Sequence, residues 1–322
     1  MTLPTVSVAV VTYERPDFVV RCLDHLAAQT VPPLEVIVVD SSTSRDTADL
    51  VRDRYPWVRY EVCSAGRGAT ATARNMAFEL ADGEILAFLD DDAFAEPEWL
   101  ERLLPNFDDP TVGGVGGRQI RGQPGELTEG VDAIGRLLDD GSLTGNFAAD
   151  PGNVVDVDHL LGANMAFRRS VIVALGGIRD GYAGTCIREE TDLCLRVAHA
   201  GFRLVFTPDA VVEHVAAPYA KGQRFDLRYT YWAQKNHFIL LVRIFGLGAP
   251  VVRRYLTSST RAALGDFTVR TRRAASRAKE HDAGGAAKAG GAAFLRTGVV
   301  LAATCSGLVA GARLARLDRR SG

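Results

Sequence analysis

The feature of this chain that most constrains its fold is the alternation of short apolar runs with amphipathic segments over its first 90 residues. Residues 6–11 and 35–40 are dense in valine and isoleucine, and neither run alternates polar with apolar positions. This pattern is typical of strands that are buried on both faces of a parallel sheet. Between the two runs a helical pattern begins at Pro16, whose missing N–H costs nothing in a first helical turn. The sequence therefore predicts a strand–helix–strand unit.

The same alternation continues along the chain. Helices are predicted over residues 46–54 and 69–81, and strands over residues 58–62 and 85–89. Strands that alternate with helices predict an α/β fold, in which a doubly wound, mostly parallel sheet is flanked by helices. After an irregular region rich in Gly, Asp and Pro, the predicted elements are a strand near 112–120, a helix over 191–200, strands over 203–206 and 210–213, and a helix over 227–245.

The C-terminal part is predicted to be helical and basic. We expect residues 1–245 to form one domain and residues 246–322 to form a helical extension. Residues 284–291 are rich in Gly and Ala, which predicts a hinge or linker. The apolar stretch over residues 297–312 is shorter than the roughly 20 residues that a spanning helix needs. We therefore expect this stretch to pack on the domain or to lie in a membrane interface.

Charge is distributed unevenly, although the net charge of the 322 residues is only -2. This balance is not that of a general polyanion binder, so we expect no nucleic-acid partner. Residues 253–279 nevertheless hold eight basic residues and a single acid, Asp266. Two interpretations stay open for this segment and for residues 294–317: a solvated helix face, or peripheral contact with an anionic membrane.

The cysteines and the first residues bear on the cellular compartment. The chain has five cysteines and no CxxC pair, which fits reduced thiols. Neither a basic n-region nor a cleavage site follows Met1, so we expect no secretion. The protein is thus expected to be cytoplasmic, with attachment to the inner face of the cell membrane as an open alternative.

Three successive carboxylates, Asp90, Asp91 and Asp92, follow directly after the predicted strand over residues 85–89. Carboxylates that lie so close together repel one another and raise one another's pKa. A divalent cation removes this repulsion, and Mg²⁺ or Mn²⁺ suits a few carboxylates together with substrate phosphates. The alternative is an acidic helix start, but a helix cap needs only one such residue. The triplet therefore predicts a metal site.

Polar side chains also follow the first and second predicted strands. Thr12, Glu14 and Arg15 come after the first strand, and Asp40 ends the second. In an open α/β sheet, ligands bind at the carboxyl ends of the strands. We therefore expect these groups to lie at one edge of the sheet, together with the three carboxylates.

Three further signals are ambiguous when each is taken alone. Glu189 and Glu190 lie at a predicted helix start, where the helix dipole also favours acids. His214 follows a short apolar strand, a position that fits a structural histidine as well as a metal ligand. Arg67 and Arg74 could pair with phosphate, but neither signal is specific. The chain has no GxxxxGK[ST] and no GxGxxG after its first strand, which argues against P-loop and dinucleotide-binding proteins.

Taken together, these segments resemble the family-2-type nucleotide-sugar glycosyltransferases. They cover roughly residues 6–243 in the order that the family shows, and they read VAVVTYERP, VIVVDSS, GATATARNMA, ILAFLDDDAFAEPEWL, LLGANMAFRRS, EETDLCLRV and PDAVVEHV. The resemblance implies a GT-A fold, transfer of a sugar from a nucleoside diphosphate donor with inversion, and a divalent cation, Mg²⁺ or Mn²⁺. UDP-, dTDP- and GDP-linked donors all stay open. The implied acceptor is a glycan or a lipid-linked molecule in cell-envelope assembly.

The resemblance also implies roles for the residues at matching positions. Asp92 would hold the metal on the diphosphate, and His214 would complete the metal site. Glu190 would be the general base, with Glu189 as the second candidate, because this chain has Glu where the family commonly has Asp. Contacts to the donor are implied for Thr12, Glu14, Arg15, Asp40, Arg67, Arg74, Asp90 and Asp91. The acceptor side would be lined by Gly162, Ala163 and Asn164.

Two other functions stay open at this point. A nucleotide-sugar-binding protein with reduced catalytic capacity could keep the same fold, although an intact set of carboxylates disfavours it. A nucleotidyltransferase would share the sheet and the acidic metal site, but it usually carries a Gly-rich basic segment directly after the first strand. Thr12, Tyr13 and Glu14 stand at that place here, which counts against the nucleotidyltransferase.

Overall fold

The structure of the protein is a computed structural model, which describes residues 3–123, 125–184, 186–215, 226–279 and 283–321. Backbone contacts divide the chain into two compact units. The first comprises Met1–Leu137, Leu143–Asp180 and Glu189–Ala220, and the second comprises Leu138–Ser142, Gly181–Arg188 and Lys221–Gly322. The predicted boundary between residues 245 and 246 falls inside the second unit, and as a domain boundary it stays a prediction.

The first unit is an α/β structure. Its strands are β1 (Val6–Thr12), β2 (Glu35–Asp40), β3 (Val58–Val62), β4 (Ile85–Asp90), β5 (Ala93–Ala95), β6 (Val112–Ile120), β7 (Val155–Asp156), β8 (Asn164–Arg168) and β9 (Arg203–His214). Its helices are α1 (Pro16–Ala27), α2 (Asp46–Arg54), α3 (Thr70–Leu80), α4 (Trp99–Leu103), α5 (Arg169–Ala174) and α6 (Glu189–His199). The predicted elements of the first 90 residues are confirmed to within one residue at each end.

Within the described residues, these strands form one sheet in the order β3-β2-β1-β4-β8-β6-β9-β5, with β7 on β9. Strands β1 to β4 are parallel, as predicted. Strand β8 runs antiparallel to both β4 and β6, whereas β6 and β9 are parallel. The α/β architecture with flanking helices is confirmed, and the second half of the sheet makes it a mixed sheet.

Alternate residues of β1 and β2 pack into two separate apolar cores. Val8 and Val10 of β1 pack with Leu23 of α1 in the first core, whereas Ala9 and Ile37 belong to the second. The second core also contains residues of α3 and α6. Complete burial of a side chain such as valine stabilises a fold by about 1.5–3 kcal/mol. Both faces of these strands are therefore buried, which explains why their sequence runs show no polar alternation.

One sequence prediction about β9 is wrong. Residues 203–206 and 210–213 were expected to form two strands, but they belong to one continuous strand, Arg203–His214. The residues between them, including Pro208, stay extended because the pairing of β9 with β6 shifts register between Gly117 and Gln119. The strand thus continues through this irregular stretch, and its pairing with β6 changes register there.

The second unit is helical. Its helices are α7 (Leu227–Phe245), α8 (Pro250–Lys279) and α9 (Ala283–Ser321). Helix α7 is confirmed with its predicted bounds. The predicted hinge over residues 284–291 is wrong, because their backbone is part of α9. Each glycine costs a helix only about 1 kcal/mol relative to alanine, and the alanines in this run favour a helix.

Helix α9 packs on α7 through small residues. A Cβ at Gly307 would lie 2.7 Å from the Lys235 carbonyl oxygen, and one at Gly311 would lie 2.9 Å from the Cβ of Val242. Arg243 of α7 forms two hydrogen bonds of 2.9 Å each to the carboxylate of Asp318. Among the described residues, one stretch is long and apolar enough to cross a membrane, Ala287–Arg320, and 22% of its most apolar window is buried.

Candidate active site

The carboxyl ends of β1, β2 and β4 bring the predicted polar residues to one edge of the sheet. Thr12 pairs with Asp40 across β1 and β2, and Val11 pairs with Asp90 across β1 and β4. Directly after the Asp triplet, strand β5 pairs with β9 and sets Ala93 opposite His214. This pairing brings the histidine to the carboxylates, although 122 residues separate it from Asp92.

Asp90, Asp92 and His214 form a group that could hold a metal ion. Each offers a ligand atom, and these atoms all lie within 4.8 Å of one another. The Nε2 atom of His214 lies 3.1 Å from Oδ1 of Asp92. The other ring nitrogen, Nδ1, is buried and has no hydrogen-bond partner within the described part of the chain. Two carboxylates and an imidazole are donors that suit a divalent cation such as Mn²⁺.

Asp91, the central residue of the triplet, is only 3% exposed. Its Oδ2 accepts a hydrogen bond of 2.7 Å from the Thr12 hydroxyl, and its Oδ1 accepts one of 3.0 Å from Arg15. Burial raises the pKa of Asp91 to about 7, while the positive charge of Arg15 acts against this rise. Thr12 and Arg15 therefore hold the central carboxylate of the triplet to the end of β1.

Arg74 of α3 links two of the predicted acidic groups. It is 3% exposed. Its Nη2 atom donates to Oδ1 of Asp90 at 3.0 Å and to the carbonyl oxygen of Gly162 at 3.1 Å. Its Nη1 atom forms a close ion pair with Oε1 of Glu189. One guanidinium thus connects the end of β4, the start of α6 and the segment before β8.

The two glutamates at the start of α6 differ in burial. Glu189 is 2% exposed and faces Arg74, whereas Glu190 is half-buried. Burial raises the pKa of Glu189 to about 7, while Arg74 lowers it and Glu190 raises it further. The sequence did not distinguish between these neighbours, because a helix turn sends adjacent side chains to different sides and only the fold decides which side is buried.

The loops after β1 and β2 are joined by hydrogen bonds. Asp40 is buried, and its carboxylate accepts hydrogen bonds from the Ser42 amide at 2.7 Å and from the Tyr60 hydroxyl at 2.5 Å. Glu14, which has a left-handed backbone with φ 55°, accepts hydrogen bonds from the amide and the hydroxyl of Thr43. Sequence reasoning missed Tyr60, whose only signal was a polar aromatic group in a strand next to β2.

The predicted acceptor residues are mostly buried. The side chain of Asn164 accepts a hydrogen bond of 2.9 Å from Trp99 and donates to the Ala210 carbonyl at 3.0 Å. Ala163 is 3% exposed, and the Gly162 carbonyl is bound by Arg74. Arg67 is exposed in the loop before α3. The structure thus brings Thr12, Arg15, Arg74, the Asp triplet, Glu189 and His214 together in separate hydrogen-bonded groups around Asp91, Asp92 and Arg74. An ion pair of 3.5 Å between Arg15 and Asp92 links the first two groups. Among the described residues, Arg67 enters none of them.

This site and fold define a class of enzymes. Residues 7–176 match the family model described as Glycosyl transferase family 2. This match covers more than half of the chain, which therefore belongs to glycosyl transferase family 2 and is a glycosyltransferase. The expected family membership and enzyme class are thereby confirmed.

Two relatives illustrate the similarity. The chain is 29% identical over 238 residues to the Glucosyl-dolichyl phosphate glucuronosyltransferase of Haloferax volcanii, a match that covers 70% of this chain and 74% of the relative. It is 33% identical over 147 residues to the Pre-mycofactocin glycosyltransferase of Mycobacterium tuberculosis, which covers 45% of this chain and 29% of the relative.

Solved structures confirm the GT-A fold. The mannosyltransferase PcManGT from Pyrobaculum calidifontis, solved in complex with GDP-Man and Mn²⁺, matches with a TM-score of 0.54 and 22% identity over 97% of this chain and 87% of that chain. GalNAc-T7, solved with UDP, GalNAc and Mn²⁺, matches with a TM-score of 0.55 and 18% identity over 75% of this chain and 50% of that chain. At such low identity the likeness concerns the fold alone.

Proposed function

We propose that this glycosyltransferase moves a sugar from a nucleoside diphosphate donor to an acceptor hydroxyl, with inversion at the anomeric carbon and with the help of a divalent cation. The observation that carries this proposal is the group formed by Asp90, Asp92 and His214 at the carboxyl edge of the sheet. Open α/β sheets bind their ligands at this edge. Family membership supports the reaction class, and a cation held by this group would bind the diphosphate of the donor.

Asp90, Asp92 and His214 would hold Mg²⁺ or Mn²⁺ through two carboxylates and an imidazole nitrogen. The buried and unpartnered Nδ1 of His214 and the mutual distances below 4.8 Å support this fit. A bound cation would neutralise the charge that develops on the departing nucleoside diphosphate. Thr12, Glu14, Arg15, Asp40 and Asp91 are the proposed contacts to the nucleoside and ribose, and the exposed Arg67 is a further candidate.

Glu190 is the proposed general base. Its carboxylate would take the proton of the acceptor hydroxyl as the hydroxyl oxygen bonds to the anomeric carbon. The bond from that carbon to the diphosphate oxygen breaks on the opposite face, so the sugar inverts and no covalent enzyme intermediate forms. Glu189 is the weaker candidate, because its carboxylate is buried against Arg74.

The proposed acceptor is a glycan or a lipid-linked molecule in the assembly of a cell-envelope glycolipid or polysaccharide. The name of the Haloferax volcanii relative, which refers to a dolichyl phosphate, supports a lipid-linked acceptor. We also propose that the protein is cytoplasmic and attaches peripherally to the inner face of the membrane. Residues 253–279 and 294–317 would make this attachment.

The exposed side of α9 supports this attachment. Phe294, Leu295, Leu301 and Val309 are 69%, 57%, 48% and 72% exposed, respectively. Their spacing sets them on one side of the helix, and the exposed Arg313, Arg316 and Arg320 continue the same side. We call these seven residues the outer face of α9. The other side packs on α7 through Gly307 and Gly311, an arrangement that favours a helix in the interface over one surrounded by lipid.

A transfer assay tests the proposed reaction. The full chain is incubated with UDP-, dTDP- or GDP-linked sugars and a polyprenyl phosphate or glycan acceptor, in Mn²⁺, Mg²⁺ or EDTA, and NMR defines the anomer of the product. We expect metal-dependent transfer with inversion, and at least a roughly 100-fold loss for Asp92→Ala, since a metal contributes several kcal/mol. The matched control is Asp109→Ala, which removes an exposed acid paired with Arg203.

The outcomes separate the alternatives. Retention of configuration, or unchanged metal-dependent turnover of Asp92→Ala, would overturn the mechanism. Donor binding seen by thermal shift, without transfer to any acceptor, would instead identify a nucleotide-sugar-binding protein. Release of pyrophosphate from a nucleoside triphosphate would identify a nucleotidyltransferase.

A further inference from the structure

Arg74 connects the end of β4 with the start of α6 through a buried side chain. We propose that Arg74 is a positioning residue. It fixes the position of the metal-binding end of β4 relative to the start of α6, and the start of α6 carries the general base. The inference rests on the proposed function above. It replaces the expectation that Arg74 contacts the donor.

The hydrogen bonds of Arg74 direct both terminal nitrogens of its guanidinium to groups of the protein. One side of the group points to Glu189, and the other is shared between Asp90 and the Gly162 carbonyl. Its Cζ also lies 5.7 Å from the ring centre of Phe88, two residues before Asp90 on β4. The side chain thus lies in the interior, with 4% of it exposed, and acts through the residues that it holds.

The geometry requires an arginine. The three acceptors come from β4, from α6 and from the segment before β8, and two separate nitrogens reach them. A guanidinium presents its donors as a rigid planar fork, whereas a lysine offers one compact ammonium on a flexible stem. Lysine would keep the positive charge between Asp90 and Glu189 but could not span both carboxylates and the carbonyl oxygen.

Gly162 provides an independent view of the same contact. A Cβ at this position would lie 2.6 Å from Nη2 and 3.0 Å from Nη1 of Arg74. Because the guanidinium is buried and bound on both sides, it could make room only by giving up contacts. The substitution Gly162→Ala should therefore displace Arg74 while leaving every charge of the site in place.

The chain also offers a matched control. Arg196 on α6 is 7% exposed and donates to Oδ1 of Asp192 at 2.7 Å. It also donates to the carbonyl oxygens of Leu175 and Gly177. Like Arg74, this second buried arginine donates to a carboxylate and to carbonyl oxygens, and none of these described hydrogen bonds reaches Asp90, Asp92 or His214.

The test compares Arg74→Lys, Gly162→Ala and Arg196→Lys in the full chain. Mn²⁺ binding is measured by electron paramagnetic resonance, folding by thermal unfolding, and kcat and donor KM in the transfer assay. Partners that orient a metal ligand are typically worth 10–100-fold in metal affinity or activity. We therefore expect Arg74→Lys to weaken Mn²⁺ binding and to lower kcat by about tenfold or more, with donor KM nearly unchanged. Gly162→Ala should change both in the same direction.

Arg196→Lys should lower the unfolding temperature comparably while changing Mn²⁺ affinity and kcat less than about threefold. Equal effects of Arg74→Lys and Arg196→Lys at equal loss of stability would mean that Arg74 only supports the fold. If Arg74→Lys raises donor KM and leaves kcat and Mn²⁺ affinity unchanged, Arg74 contacts the donor instead. An unsubstituted chain that transfers no sugar would refute the proposed function, whereas the Mn²⁺ measurement would still decide the role of Arg74. If Arg74→Lys does not fold, Gly162→Ala carries the comparison alone.

Discussion

The edge of the sheet and the outer face of α9 use their side chains in opposite ways. At the edge, charged groups are buried: Asp91, Asp92, Arg74 and Glu189 are each at most 5% exposed. On the outer face, large apolar groups are exposed, up to 72% at Val309. Both arrangements depart from the usual distribution of residues and are therefore informative. A buried charge is rare in proteins unless it is paired, and an exposed apolar patch commonly marks a site of interaction.

The difference concerns where the partner is found. Buried charges at the sheet edge have partners within the protein, as Arg74 has in Asp90 and Glu189, so their geometry is set before any substrate binds. The outer face of α9 consists of apolar groups followed by cations, so its complement is an anionic and apolar surface. Substitutions at the edge should therefore affect chemistry, and substitutions on the face should affect attachment.

The largest effect is expected for Glu190→Gln. General base catalysis contributes about 10²–10⁴-fold, so kcat should fall by that factor while donor KM stays nearly unchanged. Steady-state kinetics measure both constants. The exposed acid in Glu98→Gln is a control that should retain full activity. If Glu190→Gln keeps nearly full activity and Glu189→Gln is inactive, Glu189 is the general base.

His214→Gln should have the next largest effect. A neutral amide is a weaker ligand than imidazole, so Mn²⁺ affinity should fall by at least about tenfold, the lower bound seen when a mere partner of a ligand is lost. Calorimetric titration with Mn²⁺ measures this change. His199→Gln on α6 removes an exposed histidine and should bind Mn²⁺ normally. Equal affinities of the two variants would remove His214 from the metal site.

The double substitution of Arg313 and Arg316 by Gln tests the outer face. Each basic residue near an anionic surface contributes about 1 kcal/mol, so binding to phosphatidylglycerol vesicles should weaken by roughly tenfold or more. Sedimentation with vesicles measures binding, and phosphatidylcholine vesicles show the part that does not depend on charge. Arg45→Gln, which removes an exposed arginine in the first unit, is the control. Unchanged binding, or absence of the unsubstituted chain from the vesicle pellet at low salt, would contradict membrane attachment through this face.

Gly307→Ala tests the packing beneath that face. The added Cβ would lie 2.7 Å from a backbone oxygen of Lys235, so we expect a destabilisation of about 1–3 kcal/mol in thermal or denaturant unfolding. Gly298→Ala on the same helix meets nothing within 4 Å and should stabilise by up to about 1 kcal/mol. The same sign for both variants would mean that α9 does not pack closely on α7.

The smallest effect is expected for Glu189→Gln, which should change how the unfolding temperature depends on pH. Burial raises the pKa of Glu189 to about 7 from an ordinary value of 4.5, so the folded state binds more protons than the unfolded state between these values. Glu189 therefore lowers the free energy of unfolding progressively as pH rises from 4.5 to 7. Glu189→Gln should remove this decline, measured as a flatter dependence of the unfolding temperature on pH. An unaltered slope would show that the carboxylate titrates normally.

Much of the first unit could be predicted from the sequence. The strands of the first 90 residues follow from short continuous apolar runs, and the helices follow from apolar residues spaced three or four apart. Both patterns can be recognised within a short stretch of sequence. The errors lie where the fold overrides a local signal. Two strands were predicted over residues 203–206 and 210–213, where the structure has one continuous β9 with a shift of register. The Gly/Ala-rich residues 284–291 predicted a hinge, but their backbone is part of a continuous α9.

The sequence by itself determined that carboxylates and hydroxyls would meet at one edge, because parallel strands necessarily end on the same side. Only the tertiary structure decided which partners they meet there. Arg74 lies 115 residues before Glu189 in the chain, and no local pattern links them. The tertiary structure likewise buried Glu189 and left Glu190 half-exposed. Burial depends on what packs against a residue from elsewhere in the chain, and this is why identical neighbouring residues can have different roles.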